Sequence, residues 1–468
     1  MTGSPISSVE LTDLAPRVAS EGPVVHKFGG TSLETVERIR NVSRLIGRST
    51  GHPVVVVSAM AGVTARLTAL VRRDTDEDGL DEALDEIRKR HLEVAMEIDA
   101  VGEPLFASRV DAILDGVRTS LANSDQRDPL AREDAVIAAG EDLSVELVTL
   151  ALRFAGVDAA PLDARLLIRT DERFGGAVPD LEETDRMVRA EVLPLIAEGR
   201  VPVIQGFVAS TAGGLTTTLG RGGSDFTATL VAAPISAGEV VIWTDVSGIH
   251  TADPNEVEGA RRISEMGFEE AVELAYFGAG VIHASAAKHA VSAHLPLRIR
   301  DSGAEDETGT FVNPDRRGGA EFAAVAFKPA VMLVKVRAFP AAMAYGFLAR
   351  VFAVLGKHEV PVDLVATSHS STAFTIDREE DLTDVRHELS QFAEVEIVSR
   401  LATITVVGRG LLSEPGMEAL AFRAVGKTPV YLISQASDVS LSFVVSEEDA
   451  SETVRRMHLS LIEPGEAP

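Results

Sequence analysis

Residues 24–34 read "VVHKFGGTSLE". The opening is apolar and β-branched, as strands are. It gives way to a lysine, two glycines and a hydroxyl pair. The next stretch, "ETVERIRNVSRLIGR" at 34–48, spaces Val36, Ile39, Val42, Leu45 and Ile46 along one helix face. Strand, glycine turn and helix thus follow one another directly. Gly29 and Gly30 can admit a phosphate to backbone N–H groups without a Cβ clash, and a helix start adds partial positive charge. Lys27 would supply a point cation for phosphoryl oxygens. The same residues also suit a plain strand-to-helix turn with an incidental lysine, so this stretch alone leaves both readings open.

Working outward, the pattern repeats. "PVVVVSAMAG" at 53–62, "VPVIQGFVAS" at 201–210, "GEVVIWTDVSGIH" at 238–250 and "LPLRIRD" at 295–301 read as strands. Their near-continuous apolar runs suit strands buried on both faces. Helical patterns fill roughly 80–122 and 132–156, then 267–279 and 283–294. Strands alternating with helices predict an α/β fold, a three-layer α/β/α domain with a mostly parallel sheet. Ligands of such sheets bind beyond the carboxyl ends of strands. Three glycine-rich stretches fall at such ends: 29–32, 59–64 and 220–225.

The polar, turn-rich run 302–322 reads as a junction. Beyond it, "VPVDLVATSHSSTAFTID" and "TPVYLISQASDVSLSFVV" mark two copies of a ferredoxin-like β-α-β-β-α-β module. The expected division is a poorly ordered extension at 1–22, a catalytic domain at 23–312, a first module at 313–400 and a second at 401–468.

The chain has 468 residues, 45% apolar and 25% charged, which suits a soluble globular protein of two to four domains. No apolar run is long enough to span a membrane. The first residues lack the cationic and apolar segments of a secretory signal. Cytoplasm is the expected location. There is no cysteine, which excludes thiolate metal sites and a cysteine nucleophile. The net charge of −27 argues against a nucleic-acid surface. An anion site must therefore be locally positive against the field of the whole molecule.

"TTTLGRGGSDFTATLVAA" at 216–233 supplies a second such site. Three glycines make an anion nest, Arg221 offers a fork for a carboxylate, and Ser224 and Asp225 suit an N-cap and a first-turn acid. "WTDVSGIHTADP" at 243–254 presents Thr244 and Asp245 at a strand end, where a base or ribose can bind. "AAGEDLSVELV" at 138–148 puts Glu141 and Asp142 at a helix start, which favourable first-turn charge would also explain. His283, His289 and His294 lack the spacing of a helical metal pair, and no resident metal site is expected.

Taken in order, "KFGGTS", "VVVVSAMAGVT", "GED", "QGFV", "GRGGSDFTA" and "WTDVSGIHTADP" resemble aspartate kinases of the amino acid kinase family, and the C-terminal repeat resembles their paired ACT modules. The resemblance implies transfer of the γ-phosphoryl group of ATP, with Mg²⁺, to the β-carboxylate of L-aspartate, the first step of aspartate-family amino acid biosynthesis. It implies that Lys27, Gly29 and Gly30 hold phosphate oxygens. Thr64, Glu141, Phe207, Arg221 and Ser224 would hold aspartate, with Asp225 organising the reacting end. Thr244, Asp245 and His250 would line the nucleotide site. Phe347, Leu348, Val362, Asp363, Ser368 and His369 match the effector cleft, and a homodimer or higher homo-oligomer is implied. Two departures stand out. Gly280 replaces the lysine expected in "FGAK", and "IHTADPN" carries His250 and Asn255 where the family often has tyrosine and arginine. Both predict a weaker ATP KM. His369 stands where lysine-sensitive relatives have an acid, which predicts altered or absent inhibition by lysine. A kinase of another acidic metabolite such as acetylglutamate would lack the ACT pair. A catalytically silent amino-acid sensor could lose Lys27, Arg221 or Asp225, and all three are present.

Overall fold

The structure is a computed structural model. It describes residues 22–463 apart from 73–76, 123–127, 278–281, 305–307, 317–320, 340–345, 369, 378–380 and 436. The expected N-terminal extension, save Gly22, lies outside the described residues, as do Gly280 and His369.

The main sheet has eight strands. In spatial order they are Ala159–Leu162, Val201–Gln205, Pro53–Val57, Val24–Phe28, Glu239–Thr244, Leu297–Asp301, Thr310–Asn313 and Glu265–Gly267. The first six run parallel, and Thr310–Asn313 pairs antiparallel to Leu297–Asp301. The 302–322 run, read from sequence as a junction, therefore contains a strand; its "TFVN" alternates buried and half-buried residues against the sheet edge. The strand Val24–Phe28 sits centrally. One neighbour, Pro53–Val57, is reached in one direction and the other, Glu239–Thr244, in the opposite one. That makes its carboxyl end the topological switch point, where open α/β sheets bind ligands. Val25, Val54, Val240 and Ile242 pack on one face of this sheet, and Phe28, Val55, Val57 and Trp243 on the other. Phe28 and Trp243 stack at 5.8 Å between centroids. Burying each such side chain contributes about 1.5–3 kcal/mol.

The strand read at 201–210 is two strands. Val201–Gln205 belongs to the main sheet, and Val208–Thr211 joins a small sheet with Arg169–Thr170 and Thr216–Thr218. The chain breaks at Phe207, whose φ is +68°. A bulky residue in the left-handed region is strained, and such strain persists only where the surroundings fix it. Here Phe207 N–H donates to Thr227 Oγ1 at 3.0 Å, and its carbonyl accepts from Leu219 N–H at 2.9 Å.

The regulatory half forms one six-stranded sheet, built on two long strands, Glu321–Ala338 and Ala393–Arg409. Each serves both modules. Val331–Ala338 pairs with Ala393–Leu401 and with Ser371–Asp377 in the first module. Glu321–Lys328 pairs with Thr403–Arg409, which in turn pairs with Ser440–Ser446, in the second. Both strands change register or conformation at one level: Lys328 to Val331 is a pairing irregularity, Ala330 has φ +61°, and Arg400 opposite has φ +59°. The strand pairing thus departs from a tandem split at 400/401. Among the described residues the second copy ends on the helix Glu447–Leu461 without a last strand of its own, and Glu321–Lys328, upstream of the first copy, occupies that place.

Candidate active site

A cleft of about 900 Å³ opens at the carboxyl end of Val24–Phe28. Lys27, Gly30, Thr64, Glu141, Phe207, Arg221, Ser224 and Asp225 all line it. Four segments far apart in sequence converge there. They are the first strand and its glycine turn, the 58–64 turn, the start of the helix Ala139–Phe154, and the loop leading into the helix Gly223–Ala232.

Lys27 Nζ lies 2.7 Å from Asp225 Oδ1, with both side chains nearly buried. Asp225 Oδ2 also accepts from His283 N–H at 3.3 Å. Ser224 is not the N-cap expected from its neighbours. Gly222 caps the helix in the left-handed conformation (φ +71°), and Ser224 and Asp225 fall in the first turn. Only glycine fits there: a Cβ would stand 2.1 Å from His283 Cγ. At Gly30 a Cβ would meet Ala59 O at 2.7 Å, so the diglycine turn seats the first strand against the 58–62 turn. Gly29 N–H bonds to Trp243 O at 3.3 Å, which sets it beside Thr244 at the adjoining strand end.

Glu141 is buried. Ala59 N–H donates to its Oε1 at 3.1 Å, while Oε2 has no hydrogen-bond partner among the described residues. Burial pushes its carboxyl up to about 8, against the opposing pull of the Ala59 bond. Next along the helix, Asp142 takes a two-pronged bond from Arg165, 2.9 Å on each oxygen. Arg221, by contrast, is exposed at the cleft rim.

Sequence reading missed Asp134. This buried carboxylate accepts from Gly175 N–H, Thr218 N–H and Thr218 Oγ1–H at 2.8–3.1 Å, and so ties three segments into the cleft wall. Its partners lie 41 and 84 residues away. "PLAREDAVI" carries no local sign of them.

Thr244, Asp245 and His250 stand outside the lining of this cleft. Asp245 is exposed and accepts from Thr244 Oγ1 at 3.1 Å. His250 lines a separate cavity of about 420 Å³, walled by Asp253 and Asn255 and by the regulatory strand residues Val325 and Phe327. The residues matched to an effector cleft are divided. Ser368 lines a cavity of about 300 Å³ with Lys335, Arg337 and Glu396; Phe347, Leu348, Val362 and Asp363 are not in its lining. Asp363 is already engaged, with Lys328 Nζ at 2.6 Å and the Tyr276 hydroxyl at 3.0 Å. No group of three or more His, Asp or Glu side chains is arranged to hold a metal ion among the described residues. None of the described helices is long and apolar enough to cross a membrane.

A lysine–carboxylate pair beside glycine-lined backbone, at the switch point of a parallel sheet, has the chemistry to receive an anionic ligand. Residues 22–301 match the family model described as the amino acid kinase family, and residues 404–461 match an ACT domain. The chain belongs to the amino acid kinase family, and within it to the aspartokinases. It is 33% identical to the lysine-sensitive aspartokinase 3 of Escherichia coli, over 94% of this chain and 99% of that one. It is 30% identical to aspartokinase 2 of Bacillus subtilis, over 93% and 97%. The crystal structure of E. coli aspartokinase III in complex with aspartate and ADP (R-state) superposes with a TM-score of 0.85 at 33% identity, covering 94% of this chain and 99% of that chain. The lysine and aspartate complex of that enzyme (T-state) gives 0.79, covering 94% and 100%.

Proposed function

We propose that the chain transfers the γ-phosphoryl group of ATP to the β-carboxylate of L-aspartate, giving 4-phospho-L-aspartate and ADP. The observation that carries this is the convergence of Lys27, Asp225, Glu141, Arg221 and the glycine turn on one cleft. The β-carboxylate is ionised at neutral pH, since its reference pKa is about 3.9. No general base is needed. The work is to hold two anions in line and offset charge as it moves. Lys27, Gly29 and Gly30 receive phosphate oxygens, and Asp225 holds the Lys27 ammonium in place. Glu141 takes the α-ammonium of aspartate, Arg221 its α-carboxylate, and Thr64, Phe207 and Ser224 shape the space between. Thr244, Asp245 and His250 form the nucleotide side.

The donors of the cleft suit a magnesium ion carried by the nucleotide rather than a resident one. Lys27 already claims Asp225, and Mg²⁺ favours phosphate oxygens and its own waters. When bound, it would neutralise phosphate charge. The catalytic unit is read as 23–313. The first module spans 331–400, and the second combines 321–328 with 401–461. The exposed edge strands Val365–Thr367 and Leu432–Ser434 offer unpaired backbone for a homodimer, and an amino-acid effector would act through these modules in the cytoplasm.

The test is hydroxamate formation from ATP, L-aspartate and hydroxylamine. Product with aspartate and none with acetylglutamate is expected. Absence of product with every acidic substrate would leave the sensor reading standing instead.

A further inference from the structure

The loop 244–262 leaves the kinase sheet and buries part of itself in the second regulatory module. Ala252 and Val257 are buried in one apolar cluster with Val325, Ile404, Met457 and Leu461. The polar contacts are as specific. Val325 N–H donates to Thr251 O at 2.8 Å. Arg261 N–H donates to Thr251 Oγ1 at 2.9 Å. That oxygen lies 2.8 Å from Nε2 of His458, a fully buried ring on the C-terminal helix. His458 Nδ1 lies 3.1 Å from Glu463 Oε1. Thr251 Oγ1 thus joins the Arg261 N–H and the His458 ring, and a hydroxyl can serve both at once. These contacts seat Thr251, one residue from His250, on the C-terminal helix.

The geometry points to His458 as a positioning residue for the nucleotide site. Its ring fixes Thr251, and through it the conformation of 244–255, so that ATP affinity depends on the second regulatory module although no atom of His458 touches the nucleotide. The cavity beside His250, walled by Val325 and Phe327, is shaped by the same docking. This rests on the reading of Thr244, Asp245 and His250 as nucleotide contacts.

The test uses the full chain with ATP and aspartate varied separately. His458→Ala should raise ATP KM about tenfold, the cost of one buried hydrogen bond, while kcat at saturating ATP and aspartate KM stay within about twofold. His458→Gln, whose amide can still hydrogen-bond the Thr251 hydroxyl, should recover most of the loss. Thr251→Val removes the other partner, and with it the acceptor of Arg261 N–H, without loss of volume and should raise ATP KM at least as much as His458→Ala; it decides the matter if His458→Ala does not fold. An unchanged ATP KM in folded variants overturns the inference. So does a parallel change in kcat and both KM values with a lowered Tm, which is what a merely structural contact gives. Asp245→Ala separates the two claims. If it raises ATP KM while the His458 and Thr251 variants are silent, only the positioning role falls; if it is also silent, the nucleotide reading of the loop falls with it.

Discussion

Two walls of the cleft hold their carboxylates in opposite ways. Where the first strand meets the helix Gly223–Ala232, Asp225 is paired with Lys27 at 2.7 Å. Where the helix Ala139–Phe154 meets the 58–62 turn, Glu141 is sealed in with one backbone donor and one oxygen lacking a partner among the described residues. The paired wall carries its charge ready-made and holds an oriented ammonium, which in the proposed function would meet phosphate. The unpaired wall leaves one carboxyl oxygen without a bond, and the substrate α-ammonium would complete it. A buried group without its partner costs free energy, so the second wall is less stable empty than filled. If Glu141 takes the α-ammonium as proposed, selectivity for an amino acid over a plain carboxylic acid follows from that shortfall.

Removing the ammonium of the paired wall should have the largest effect. Lys27→Ala is expected to lower kcat by about 10²–10³, the usual loss for one preorganised donor, with a smaller change in aspartate KM; steady-state rates check this. On the unpaired wall, Glu141→Gln should raise aspartate KM about 30-fold or more, as for a severed buried ion pair, and leave ATP KM near its starting value.

Acidity sharpens the contrast. With its carboxyl up at about 8, Glu141 is protonated in the empty cleft at neutral pH, and binding an ammonium requires the proton to leave. Aspartate KM should therefore fall as pH rises from 6 to 8 and level off above, by up to about tenfold per pH unit. Glu141→Gln should flatten that profile. The same shift has a stability consequence. The folded-state value is raised above the unfolded 4.5, so the carboxyl is neutral in both states below about 4.5. Above about 8 it is a buried charge, and stability is lost across that window. Glu141→Gln should thus raise Tm at pH 8.5 and change it little at pH 4.5, with at most about 5 kcal/mol at stake.

The smallest effect should come from the contact between the kinase helix Phe268–Phe277 and the first module. Burial and the neighbouring Asp363 push the Tyr276 hydroxyl up to about 12, so it stays protonated and donates to Asp363. Tyr276→Phe should cost about 1 kcal/mol by denaturant unfolding. If the contact carries effector signals, it should also shift the midpoint of amino-acid inhibition without changing kcat.

Local chemistry made much of this legible. The Val24–Gly30 stretch reads as a strand running into a phosphate-admitting turn because apolar run, ammonium and glycines are contiguous. Glu141 and Asp225 fall in first helical turns, as their sequence contexts predict. Ser224 was misplaced as a cap because a left-handed glycine can fill that role by backbone conformation alone. Asp134 is invisible locally, since its meaning lies in partners from a distant loop and a distant strand.

The alternation of strands and helices, the repeat and the candidate site residues can all be read along the chain, because periodicity and side-chain type are local properties. Only the tertiary structure decided that Asp225 pairs while Glu141 does not. It also decided that Phe207 is held in a strained turn, and that Glu321–Lys328 completes the module that follows the next one in the chain. Those outcomes depend on which segments meet and how much water they exclude, and the energies of burial and pairing exist only once the chain has folded.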